Sequence, residues 1–122
     1  MACSGGKCAV AGRIRYYREA GMDALREGRV EQAEELLRMA VTLGERDQAV
    51  DTTKAHSIYR LGLVLHEAGR SDEAAGEFER ALALVRNRAG HDSKLYRKIF
   101  GHYEKALPER ARVVAQPSVV RQ

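Results

Sequence analysis

The stretch GMDALREGRVEQAEELLRMA, residues 21–40, decides the fold, because its pattern returns as GLVLHEAGRSDEAAGEFERA at residues 62–81. Aligned without a gap, the copies pair Gly21 with Gly62, Gly28 with Gly69, Ala33 with Ala74 and Ala40 with Ala81. Leu37 meets Phe78 in a bulky slot, and Ala24 meets Leu65 in an apolar one. The offset is 41 residues, and self-similarity at such a period marks a stacked helical repeat. Arrays of that kind present extended surfaces to other proteins.

Outward from these copies the chain reads as helix throughout. Val10, Ile14, Tyr17, Gly21, Ala24 and Leu25 recur at spacings of three and four, which draws one apolar stripe. Gly28 can then take the left-handed conformation that ends a helix. Val30, Ala33, Leu37 and Ala40 form the second stripe, with Glu31, Glu34 and Glu35 near its positive end. The third is Ile58, Leu61, Gly62 and Leu65, closed by Gly69. The fourth is Ala74, Phe78, Ala81 and Val85, with Ser71 placed to cap it. Leu95, Tyr96, Ile99, Phe100, Tyr103 and Leu107 make a fifth, led in by Asp92 or Ser93. No segment alternates in twos, so sheet is not expected.

Composition bounds the possibilities. With 122 residues, 44% hydrophobic and 31% charged, the chain fits one globular domain and is too apolar for a disordered one. No apolar run approaches the roughly 18–20 residues of a membrane span, and Met1 to Val10 lacks the apolar centre of a secretory signal. A cytoplasmic protein, with no membrane partner, is expected. The net charge of +4 is uneven: Lys7, Arg13, Arg15 and Arg18 face only Glu19 in residues 1–20. Such a balance permits acidic partners, but the basic residues are not interleaved with stacking aromatics as in a nucleic-acid footprint.

The pattern of a small residue, a bulky residue, a short turn, then Ala, bulky, Ala resembles the tetratricopeptide repeat (TPR), over roughly residues 14–86. Tyr17 and Ile58 stand where that family most often has Trp. The usual repeat is about 34 residues, so the 41 here resemble its long form, with the extra residues between Leu43 and Lys54. Glu45 and Arg86 replace the family's junction Pro. The resemblance implies an all-α fold, antiparallel hairpins stacked as a short right-handed α-solenoid. Leu37 and Phe78 would fill holes between successive hairpins. The expected organisation is a Cys/Gly-rich flexible segment at 1–9, hairpins at about 10–46 and 51–87, a capping helix at about 92–107, and a loose tail at 108–122. Lys94, Arg97, Lys98, Glu104 and Lys105 give the capping helix a polar side, which favours a monomer over a homodimer.

In this family function resides on the concave surface lined by the first helix of each hairpin. Carried onto this chain, those positions are Arg15, Arg18, Met22 and Leu25, then His56, Tyr59, Arg60, Leu63 and His66, with Lys98 and His102 added from the last helix. A groove with cationic rims and an apolar floor would suit an acidic or amphipathic protein segment. Some family members clamp a terminal carboxylate with Lys, Asn and Arg. Met22 stands where that clamp needs Asn, so chaperone tails are not the expected ligand.

The other constellation is Cys3-Ser4-Gly5-Gly6-Lys7-Cys8. Lys7 beside Cys8 could lower its thiol pKa, which leaves a thiol-based redox or metal sensor acting through Cys3 and Cys8 as a third alternative. Zinc needs about four ligands, and the remaining candidates, His56, His66, His91 and His102, are scattered. His56 and His66 lie about 15 Å apart along one helix. No metal, no cofactor and no catalytic signature is expected, and a binding adaptor is the first reading. A subunit that works by homo-oligomerising is the second.

Overall fold

Gly28 and Gly69 stop two helices in the same way. Each holds φ at +82°, where a side chain would clash with its own backbone. That turn lets Arg29 N–H reach the Ala24 carbonyl and Arg70 N–H reach the Leu65 carbonyl, both at 2.9 Å, which satisfies carbonyls that a helix end otherwise leaves open. Only three residues, 27–29 and 68–70, separate the helices on either side. Connections that short make each pair an antiparallel hairpin.

The computed structural model describes residues 6–89 and 93–107, and it is all-α: α1 Gly6–Arg26, α2 Val30–Arg46, α3 Asp51–Glu67, α4 Ser71–Ala89 and α5 Lys94–Ala106. Helix α1 begins at Gly6 rather than at residue 10. Asp92, most of the Cys/Gly-rich segment and the tail at 108–122 lie outside the described residues. No described helix is long and apolar enough to cross a membrane. The long spacing between copies is taken up by α2 and α3, each 17 residues, joined across residues 47–50.

That junction ends α2 by the same backbone device, but without glycine. Gln48 holds φ at +56°, Gln48 N–H donates to the Glu45 carbonyl at 3.4 Å, and Ala49 N–H donates to the Gly44 carbonyl at 2.8 Å. Helix α5 starts on Ser93, whose hydroxyl accepts from Tyr96 N–H at 3.0 Å. The expected cap at Ser71 is different: Ser71 Oγ lies 3.1 Å from His66 Nδ1 across the turn.

Packing inside each hairpin turns on a missing methyl group. A Cβ added to Gly21 would overlap Leu37 Cδ2, and one added to Gly62 would lie 2.6 Å from Phe78 Cε1. Leu37 and Phe78 therefore fill the space inside their own hairpins, rather than the holes between hairpins as the repeat pattern suggested. Their side chains are too large to share that space with anything but a glycine facing them. Ala33, Ala74 and Ala81 are fully buried around them.

Between hairpins, α2 packs on α3, and α1 touches α3, which touches α5; α2 and α4 make no comparable contact. The odd-numbered helices thus share one side of the array, the inner side, and α2 and α4 lie on the outer side. On the outer side charge does the joining. Arg70 Nη1 donates to Glu34 Oε1 at 2.7 Å, and Arg80 Nη2 donates to Glu45 Oε2 at 2.5 Å, each linking α2 to the second hairpin. Helix α5 closes the far end, burying Ile99 and Ala106. Tyr103 hydroxyl donates to Glu79 Oε2 on α4 at 2.7 Å. The opposite end has no described helix over it, and there Tyr16 is 65% and Met39 45% exposed.

Gln48 is the one non-glycine residue in the left-handed region among those described, so replacing it should relieve strain. Gln48→Gly is expected to raise unfolding stability by about 1 kcal/mol, and Gly69→Ala to lower it by a similar amount. Urea midpoints measure both. A neutral or destabilising Gln48→Gly would contradict this account of the junction.

Candidate functional site

Helix periodicity aims one row of α1 at the inner side, toward α3: Arg18, Met22 and Arg26 follow one another at intervals of four. On α3 the same spacing brings His56 and Arg60 to that side. These residues, with Glu19 and Asp23, line an open cavity of about 440 Å³ between the two helices. Met22 is half-buried and packs against the main apolar core, so the cavity has apolar footing beneath polar walls.

The cations in it are not equally partnered. Arg26 is hydrogen-bonded to Asp23. Among the described residues, Arg18 Nη1 and Arg60 Nε are buried donors with no acceptor. The Arg60 guanidinium carbon sits 5.6 Å from the centre of the Tyr59 ring, within cation–π range. Burial holds the Arg18 guanidinium below its ordinary pKa; Arg60 and Arg15 push the same way and Glu19 opposes them. His56 is also held below the ordinary imidazole value, first by burial and then by Arg18, Arg60 and Lys98. Positive charge from α1, α3 and α5 therefore converges on one place.

The remaining expected groove residues separate into groups. Tyr59 belongs to the core, only 2% exposed, with its ring 6.1 Å from Phe78 and 5.6 Å from His102. It supports the site from behind instead of facing a ligand. Leu25 and Leu63 pack on the main core with part of their surface open. Arg15 is exposed outside the cavity lining, and exposed His66 is engaged at the turn with Ser71. His102 closes over Tyr59 and Phe78. Burial, then Lys105, Lys98 and His66, lowers its pKa.

Glu19, Asp23 and Arg26 escaped the sequence reading, although the four-residue steps from Arg18 to Arg26 and from Glu19 to Asp23 signal their shared face. Another cavity, of about 490 Å³, lies between the start of α1 and the 47–50 turn. Its Arg46 already bonds Asp47 through two nitrogens, both at 3.2 Å, Arg13 also pairs with Asp47 at 3.8 Å, and Val10, Ala11, Ala49 and Val50 give the lining an apolar share. Among the described residues no group of three or more His, Cys, Asp or Glu is placed to hold a metal ion. Cys3 of the Cys3–Cys8 pair lies outside the described residues.

No protein-family model matches the chain, and neither a curated protein nor a solved structure matches it.

The depressed imidazoles carry a pH signature. When the folded pKa lies below the ordinary value of about 6.5, the unfolded chain binds more protons in between, so stability rises with pH there. His56 and His102 act in the same direction. Their stability contribution is full above about pH 6.5 and is lost as pH falls through their folded values. Urea midpoints are expected to drop between pH 7 and pH 5, and a His56→Gln/His102→Gln variant to flatten that slope. An unchanged slope in the variant would contradict the assignment.

Proposed function

We propose that this chain is a TPR-like adaptor with no catalytic role, which docks a segment of another protein, acidic or amphipathic, along the inner surface of α1 and α3. The family reading is supported by the 41-residue self-similarity and by two hairpins built on the same small-against-bulky contact. The observation that carries the function is the cavity itself, where Arg18, His56 and Arg60 stand beside Met22. Cations over an apolar footing suit a chain segment that alternates carboxylates with apolar side chains. The adaptor acts as a cytoplasmic monomer in this reading.

A second reading has one specific observation in its favour. Tyr16 and Met39 leave apolar surface open at the end of the array opposite α5, and an end with no described helix over it invites a second copy.

Affinity capture from a lysate of the source cells, read by mass spectrometry, separates the two. A protein recovered with wild type and with Tyr16→Lys/Met39→Lys, but at least tenfold depleted with Arg18→Glu/Arg60→Glu, is the expected result. Equal recovery from all three would remove the groove. Self-association seen by light scattering and lost only in Tyr16→Lys/Met39→Lys would favour the second reading.

A further inference from the structure

Several surface arginines of α2, α4 and the turn before α4 are given carboxylates. Arg38 bonds Glu34 at 2.9 Å, Arg70 is shared by Glu34 and Glu73, Arg80 by Glu45 and Glu77, and Arg46 takes Asp47. The inner side breaks that habit. Arg18 and Arg60 come from different hairpins to one cavity, and each leaves a buried N–H without an acceptor among the described residues. The carboxylates that share the cavity do not meet this demand: Asp23 is engaged with Arg26, and Glu19 acts on Arg18 only through space.

We propose that Arg18 and Arg60 together form a seat for one oxyanion group, a carboxylate or a phosphoryl, borne by a side chain of the docked segment. The proposal rests on the groove reading above and names what the groove recognises. A guanidinium presents its N–H groups in a planar fork that matches two oxygens of such a group. Two forks from two helices would grip one anion from two sides and relieve their mutual repulsion. The seat would also tie the first hairpin to the second on the side where outer ion pairs do not reach.

His56 reports on occupancy. The charged groups around it are Arg18, Glu19, Asp23 and Arg26 from α1, Arg60 from α3 and Lys98 from α5. An anion placed between Arg18 and Arg60 cancels the field that disfavours its protonation. Binding should therefore draw a proton to His56, and the anion should hold more tightly at pH 6 than at pH 8.

The test uses the full chain and two small probes, inorganic phosphate and glutarate, against sodium chloride at equal ionic strength. Proton NMR follows the His56 imidazole titration, and thermal melts follow stability. For wild type, a saturating probe is expected to raise the His56 pKa by at least about 0.5. That response should vanish in Arg18→Met and in Arg60→Met and persist in the exposed α4 control Arg86→Met. Without any probe, Arg18→Met should melt above wild type by a few degrees, because it removes a half-buried charge that sits beside Arg60. That rise also shows the variant folded. A response to phosphate alone assigns a phosphoryl group, and a response to glutarate assigns a carboxylate.

A His56 titration indifferent to both probes, or moved equally in both Arg→Met variants, overturns the seat. The groove reading fails separately. A captured partner lost on charge reversal, with no probe response, removes the seat and keeps the groove. A probe response with no captured partner does the reverse.

Discussion

A bulky side chain lying where another helix has no Cβ is the contact on which the rest of this structure depends. Leu37 against Gly21 and Phe78 against Gly62 let the two helices of each hairpin approach closely, and a methyl group on either glycine would push them apart. The cost of glycine inside a helix, about 1 kcal/mol relative to alanine, is offset by the burial of the facing knob. Phe78 in turn carries the inner side: Tyr59 and His102 pack around its ring, so the knob links α3, α4 and α5. Neighbouring residues on α3, His56 and Arg60, are positioned by that packing.

Charge is divided between the two sides of the array. Outside, carboxylates and guanidinia alternate in short networks that span the hairpins. Glu34 is typical: burial raises its pKa, but hydrogen bonds from Arg70 and Arg38 prevail and hold it low. Pairs this exposed contribute little each, and their effect lies in orienting one hairpin on the next. Inside, Arg18 and Arg60 each keep a buried N–H with no acceptor among the described residues, and burial, with the charge of Arg60 adding to it, disfavours the charged forms of Arg18 and His56. An arrangement that leaves buried guanidinium donors open in one place, while pairing cations with carboxylates across the hairpins on the other side, is what a site for an anionic partner requires.

Much of the fold was legible in residues 21–40 and 62–81, since glycine, alanine and a bulky residue at fixed spacing leave few ways to pack. Gly28 and Gly69 announced the turns for the same reason. The 47–50 junction was less legible because Gln48 takes the left-handed conformation that composition assigns to glycine. Within the site, Arg18, Met22, His56 and Arg60 were readable from position along their helices. Tyr59 was not, since a tyrosine at such a position fits a groove wall or a core equally well, and only its contact with Phe78 decides. The role of Leu37 and Phe78 inside rather than between hairpins was also hidden: sequence spacing shows which residues share a face, not which neighbour that face meets.

The most direct test of this account is a double-mutant cycle on Gly62 and Phe78, measured by urea unfolding. Gly62→Ala alone should cost about 1–3 kcal/mol by overpacking. In the presence of Phe78→Ala, which removes the side chain that faces Gly62, the same change should cost far less. A coupling of at least about 1 kcal/mol is the predicted result. Additive losses, with no coupling beyond error, would contradict the claim that the bare glycine exists to receive that side chain.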